Sequence, residues 1–426
     1  MRHLRCFKSG RLHHRSGACT MVRWIAVLVI LALAFPTLTE AQKSAQVNPL
    51  LLNGGTIEQA RKAYQSNRNR LGPAMQALIK DADAAMQKDL VSVVQKQQTP
   101  PSGSKHDYMS LGPYWWPDST KPGGLPYIRR DGEVNPEYHL VGDNMRIDAM
   151  VNNVSTLALA YAVSQDERYA SRAVKQVREW FLNPPSRMNP NLEYAQAIKG
   201  VNQGRGIGII ETYSFRHLID AFILLKRSKD WTPDVQQGID AWFASYLTWL
   251  LESPNGRDEA GWKNNHGSAY DVQVSCISLY LGKKEIAQRI LREAGTKRIA
   301  VQVEPDGSQP LELERTKSWG YSNMNLDALI ELGLLGDRVG VDLWRFKTQD
   351  GRSIRRAVDF LLPYAVGKKR WTWTQISPFH PGRMYYALTI AAARYRNNSY
   401  LGAAKTVFDD QVRSSRVIFS LPRGIN

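Results

Sequence analysis

Cysteine is almost missing from this chain, and most of what there is lies at its very start. Of three cysteines, Cys6 and Cys19 precede the body of the protein, which leaves Cys276 alone. No intramolecular disulfide can form with a single thiol, and Cys276, set in the apolar stretch VQVSCISLYLG, reads as a small buried hydrophobe. Acidic residues are also scarce: 39 Asp and Glu against 56 Lys and Arg give a formal charge of +17. The alternation of apolar and polar residues that a half-buried strand needs is nearly absent, which excludes a β-sandwich or barrel. The histidines lack ligand spacing such as HExxH and the acids are scattered, so the sequence calls for no metal and no cofactor. Gly200, Gly204, Gly206 and Gly208 cluster, but no strand signal precedes them and no Walker lysine follows, which argues against a phosphate loop.

The N-terminus has its own character. Arg23, an apolar run from Trp24 to Phe35 and a small-residue end at Ala41 spell a secretory signal, with Met21 as a second possible start. Residues 1–41 are therefore expected to be leader and signal peptide, and 42–426 one domain. Without the leader the formal charge is still +12. A basic exported protein, periplasmic or secreted, meets little nucleic acid; an acidic glycan is the more economical partner, a basic surface with no specific partner being the alternative. No stable membrane anchor is expected after signal cleavage. Oligomeric state is not legible.

Helical periodicity fills what remains. Ile57 to Gln95 reads as two helices broken near Gly72 and Pro73. Asn144–Ala162 with Tyr169–Phe181, Ile210–Leu225 with Pro233–Leu251, and Gly267–Leu281 with Lys284–Gln302 then form hairpins. Asn323–Leu335 with Ser353–Leu362 and Arg383–Arg394 with Tyr400–Phe408 complete the series. Such a string builds either an open solenoid or a closed ring. The hairpins share no repeated motif, so the expectation is an all-α fold, an incomplete α/α toroid. Between the first helices and the hairpins, Thr99 to His139 is rich in Pro, Gly, Tyr and Trp and predicts a long irregular loop over a cleft.

Three polar clusters interrupt the apolar helices. WKNNHGSAYDVQ (262–273) gathers Asn264, Asn265, His266 and Tyr270. Either an asparagine caps a helix there, or the group is reactive; Tyr270 fits a cleft wall or the core. ELERTKSWGYSNMN (312–325) presents Arg315, Trp319, Tyr321, Asn323 and Asn325, with Asn323 a possible cap and Arg315 a possible surface ion pair. The glycine-rich stretch offers Asn202, Gln203 and Arg205 to a cleft. Tyr114, Trp115, Trp116, Trp319, Trp371 and Trp373 supply flat faces for sugar rings; any single Trp is more readily a core residue, but the adjacent aromatics of YWWP cannot all point into one core. Arg129, Arg130, Arg205 and Arg383 supply positive charge, and His380 accompanies Arg383 in SPFHPGRMYY.

GPYWWPDSTKPGGLPYIRRDGEVNPE, then NNHG with YDVQ, then ERTKSWGYSNMN, in that order, resemble the alginate lyase superfamily of polysaccharide lyases, from roughly Leu111 to Tyr386. The resemblance implies an α/α toroid and β-elimination at a uronic acid. It places Asn265 and His266 at carboxylate neutralisation, Tyr321 as base and acid, and Arg315 beside it to lower its pKa or grip the carboxylate. Here NNH is followed by GSAYDVQ rather than an aromatic pair, a departure that bears on the substrate. The substrate-binding set expected is Tyr114, Trp115, Trp116, Arg129, Arg130, Asn202, Gln203, Arg205, Trp319, His380 and Arg383. Two other readings stand beside the lyase. An inverting glycosidase would need two facing carboxylates, for which Glu211, Glu259 and Asp271 are the candidates; the other is a non-catalytic protein that binds acidic glycans.

Overall fold

Apolar residues recur every three or four positions along most of this chain, and helices follow from that spacing. The computed structural model describes residues 48–66, 72–413 and 416–422. The expected leader lies outside them. Helices α1 (Gly54–Ser66) and α2 (Pro73–Met86) come first, the second opened by Pro73, whose missing N–H costs nothing in a first turn. The hairpins then run α3 (Asp143–Ser164) and α4 (Glu167–Val177), α5 (Phe215–Leu225) and α6 (Pro233–Glu252). After the short α7 (Pro254–Gly261) come α8 (Asn265–Tyr280) and α9 (Lys284–Ala294). The last pairs are α10 (Ser318–Val339) with α11 (Ile354–Ala365), and α12 (Tyr385–Tyr395) with α13 (Asn398–Thr406).

Helices α3, α5, α8, α10 and α12 pack side by side in that order, while α4, α6, α9, α11 and α13 lie outside them. This is the expected incomplete toroid. The sequence explains which helix goes where. Helix α8 is buried around nearly its whole circumference from Gly267 to Ser278, whereas α9 buries only Ala287, Leu291 and Ala294 on one stripe. Aromatic rings lock the α4 end to α5 and α6: Phe181 meets Trp242 edge-on at 4.7 Å and Phe222 meets Phe243 at 5.7 Å.

Local chemistry departs from the expectation in three places. The aromatic loop is mostly irregular, as expected, but it carries two short strand pairings. Strand β1 (Met109–Leu111) pairs in parallel with β4 (Tyr194–Ala197), and β2 (Trp115–Trp116) pairs antiparallel with β3 (Ile128–Arg129), Trp115 opposite Arg129. Helix α10 starts at Ser318, so Asn323 is not its cap; it lies inside the helix and its Nδ2 donates to the Trp319 carbonyl at 2.8 Å. Helix α7 was hidden by a Pro and two Gly in PNGRDEAG, yet Ser253 caps it, its Oγ accepting from the Gly256 N–H at 2.9 Å.

Helices α3 and α12 face each other across the seam of the ring, and a cavity of about 440 Å³ opens there, lined among others by Arg216, His217, Asp327, His380, Arg383 and Arg416. His380 and Arg383 were expected in the substrate cleft. Arg383 instead reaches Asp327 at 3.7 Å inside this cavity. Burial pushes the Asp327 carboxyl up to about 7, with Arg383 and Arg216 opposing and Glu331 adding to the rise.

Two outcomes follow from the packing. Phe243→Ala should cost about 3–5 kcal/mol in a denaturant titration, because it empties the centre of the aromatic cluster. For Asp327, the folded value lies above the unfolded one, so the folded chain holds the extra proton between them; this contribution to stability is full in acid and lost as pH rises towards 7. Asp327→Asn should therefore raise the melting temperature relative to wild type at about pH 8 and leave it little changed at about pH 4.

Candidate active site

The β2–β3 hairpin is tied down onto the start of α10. Asp131, just past β3, accepts from Arg315 Nε at 3.0 Å and Nη2 at 2.8 Å, from the Thr316 N–H at 3.0 Å and from the Thr316 hydroxyl at 3.1 Å. Burial would push the Asp131 carboxyl up, but the Arg315 guanidinium and the Thr316 N–H hold it well below the usual carboxylate range. Arg315, expected as a surface ion pair or a catalytic group, is thus mostly enclosed. Its guanidinium carbon lies 3.8 Å from the centre of the Tyr321 ring.

Tyr321 sits in the first turn of α10, where the helix start places it over the hairpin. Its hydroxyl is 2.8 Å from the Tyr114 hydroxyl. Burial raises the Tyr321 pKa strongly, Tyr114 adds to the rise, and the Arg315 charge opposes it. The net direction is upward, so the resting group is a neutral phenol. The sequence expectation that Arg315 would lower this pKa holds for the sign of that one interaction and not for the sum.

Across the site, α8 begins at the NNH segment. Asn264 is the cap, its Oδ1 accepting from the His266 N–H at 3.2 Å. Asn265 is 1% exposed. Its backbone N–H and its Nδ2 both donate to Glu312, each at 2.7 Å, which leaves it one uncommitted amide N–H for a ligand. Glu312 is buried, its carboxyl pushed up by desolvation and held back by the two Asn265 donors and by Arg315 and His266 nearby. His266 Nδ1 lies 2.8 Å from Glu259 Oε1. With the Nδ1 proton on that carboxylate, Nε2 is an acceptor when the ring is neutral and a donor when it is charged.

Other expected ligands are placed as follows. Arg130 lies over Trp116 at 5.2 Å and Arg205 over Trp115 at 5.7 Å. Trp115 can lie there because position 112 is glycine: a Cβ on Gly112 would come within 2.6 Å of the indole. Arg129 pairs with Asp131 at 2.7 Å on the outer side of the hairpin. Asn202 turns inward to accept from the Ile198 N–H at 3.1 Å, and Gln203 is exposed. Trp319 does not face a cleft. It is 1% exposed, packs on Phe379 at 4.3 Å and donates to the His380 carbonyl at 3.0 Å, so it is a core residue. Trp371 meets it edge-on at 5.1 Å, and Trp373 lies tilted against Trp371 at 4.7 Å. Tyr270 also resolves to core, its hydroxyl on the Leu250 carbonyl at 2.7 Å. The glycine-rich stretch does follow a short strand, β4, but its glycines serve close packing: a Cβ on Gly204 would lie 2.0 Å from the Glu193 carbonyl.

The carboxylates that a glycosidase would pair are each engaged separately. Glu211 accepts from three hydroxyls, Asp271 holds Arg298 at 2.7 Å, and Glu259 holds His266. Sequence reading missed Asp131 and Glu312 altogether, since only the tertiary contacts reveal them. Among the described residues, no three His, Cys, Asp or Glu gather as a metal group.

The alginate lyase family model matches residues 92–371. An alginate lyase structure from Bacteroides ovatus superposes with a TM-score of 0.83 at 38% identity, covering 88% of this chain and 100% of that one. Alginate lyase A1-III from Sphingomonas species A1 superposes at 0.52 with 17% identity, over 88% of this chain and 98% of that one, and shares the fold. A variant of A1-III complexed with a tetrasaccharide gives 0.53 at 15% identity, over 90% and 99%. No curated protein matches the chain.

Asp131→Ala should release the hairpin, at a cost on the order of 1–3 kcal/mol for a partly exposed pair. Limited proteolysis should then cut faster around Gly123 and Gly124; unchanged cutting would show that the hairpin is held by other contacts.

Proposed function

The chain belongs to the alginate lyase family and is a polysaccharide lyase, and on that premise we propose that it is exported and cleaves a polyuronate by β-elimination, leaving a 4,5-unsaturated uronate at the new non-reducing end. The observation that carries the chemistry is the Tyr321 hydroxyl, hydrogen-bonded to Tyr114 and with the Arg315 guanidinium against its ring, on a segment whose Glu312 holds Asn265, the neighbour of His266. The leader, with its Arg23 and apolar run, is what supports export to the periplasm or medium.

Elimination needs the C5 carboxylate neutralised, the C5 proton removed and the O4 leaving group protonated. His266, oriented through Nδ1 by Glu259, donates from Nε2 to the carboxylate in its charged form, and Asn265 adds its remaining amide N–H from the floor of the site. Tyr321 first gives its phenol proton to water, Arg315 and the Tyr114 hydroxyl stabilising the phenolate; the phenolate then takes the C5 proton and passes it to O4 as the C4–O bond breaks. One residue can do both because C5–H and C4–O lie on one ring face in β-mannuronate and in β-glucuronate alike. These sugars differ only at C2, so both an alginate-type polymer and a glucuronan suit the site. A second reading is favoured by one observation, that Tyr321 rests as a phenol: His266, held on Glu259 through Nδ1, would then present Nε2 as the base in its neutral form. Tyr321 is then the acid alone.

Tyr321→Phe should lower turnover on the polymer by on the order of a thousandfold while oligosaccharide binding persists. Near-normal turnover would remove Tyr321 from the chemistry. The two readings separate on a uronoside with fluoride at C4, which leaves without a proton. Restored turnover of Tyr321→Phe on that substrate assigns the base to His266, and continued loss assigns it to Tyr321.

A further inference from the structure

Arg205 is a guanidinium that the fold encloses without giving it a carboxylate. Among the described residues no acid lies within ion-pair distance of it, unlike Arg315, Arg298 and Arg216, which each hold one. Its Nε donates to the Gln196 carbonyl at 3.0 Å and its Nη2 to the Gln196 Oε1 at 2.9 Å. Both acceptors come from one residue because Gln196 adopts a left-handed backbone, φ 50°, which costs a non-glycine residue free energy. These bonds fix the plane of the guanidinium and leave further N–H groups beside the Trp115 face. Burial draws the Arg205 pKa down to about 10 and Arg129 adds to that, while Glu211, Glu259 and Asp258 oppose it from beyond ion-pair distance.

The support behind Gln196 is equally specific. Its N–H donates to Ser110 Oγ at 2.8 Å, and Ser110 Oγ donates to Glu211 Oε2 at 2.6 Å. Glu211 also receives the Tyr108 hydroxyl at 2.7 Å and the Tyr138 hydroxyl at 3.3 Å. Tyr108 and Ser110 stand at one foot of the aromatic loop and Tyr138 at the other. A single, largely enclosed carboxylate therefore pins both feet of the loop and, through Ser110 and Gln196, the orientation of Arg205.

We propose that Arg205 and Trp115 form a uronate subsite beside the His266–Glu259 pair, in which Arg205 grips the carboxylate of a sugar and Trp115 carries its ring, and that Glu211 is the positioning residue that holds this subsite. The inference rests on the polyuronate reading. A planar fork of N–H donors next to an indole face suits a six-membered ring bearing a carboxylate better than it suits a neutral sugar.

The test titrates the full chain with a mannuronate tetrasaccharide and with its carboxyl-reduced counterpart, followed by tryptophan fluorescence, alongside turnover of polymannuronate. Arg205→Gln should weaken binding of the charged oligosaccharide on the order of tenfold or more and abolish the preference over the reduced one, while kcat at saturation changes far less. Ser110→Ala should raise KM on the order of threefold with the melting temperature nearly kept, and Ser110→Thr, which restores the hydroxyl, should recover it. Glu211→Gln should behave like Ser110→Ala if it folds. Equal discrimination by wild type and Arg205→Gln would overturn the proposal with the lyase reading intact. Binding without an unsaturated product would sink the lyase reading and leave the subsite to be judged by the titration. Absence of any binding to the uronate by wild type would overturn both.

Discussion

The Arg315–Asp131 pair is the contact on which the site depends. It joins two parts of the chain that are far apart in sequence, the hairpin after β3 and the first residues before α10. Through it, one guanidinium fixes the hairpin and also lies against the Tyr321 ring. Without the carboxylate, Arg315 would be a partly buried cation with no partner; without the guanidinium, Tyr321 would lose the charge that opposes its desolvation. Tyr114 is tied to the same hairpin, its carbonyl accepting from the Arg130 N–H at 2.8 Å, and its hydroxyl meets that of Tyr321 at 2.8 Å.

The same design recurs around the cleft. Three polar side chains of the candidate site are each held by an enclosed carboxylate or amide: His266 by Glu259, Asn265 by Glu312, and Arg205 by Gln196, whose N–H reaches Glu211 through Ser110. Desolvation pushes these carboxyls towards protonation, and donors from the functional residues push back. The toroid makes this affordable, because inner helices such as α8 and α10 are surrounded by packed side chains that fix where each group points.

Most of the architecture was legible because helix periodicity is local. The hairpin order, the ring and the break at Pro73 all follow from spacing and breakers. Helix α7 was not, since its Pro and glycines mask a cap that only Ser253 reveals. Of the site, Tyr321, Arg315, Asn265 and His266 could be named from short motifs. Their supports could not: Asp131 and Glu312 are ordinary surface-like acids in sequence, and it is the fold that buries Glu312 and half-encloses Asp131. Trp319 shows the reverse error, an aromatic within a motif that the helix start turns into the core, with His380 contributing only a carbonyl to it.

The account stands or falls on the bond that is broken. Wild-type protein should be incubated with polymannuronate, polyguluronate, glucuronan and a hyaluronan-type polymer while ultraviolet absorbance is followed. The account predicts a rise from a new C4=C5 double bond on polymannuronate or glucuronan, in step with the appearance of reducing ends. Reducing ends appearing with no absorbance rise on any of the four would show hydrolysis and contradict it.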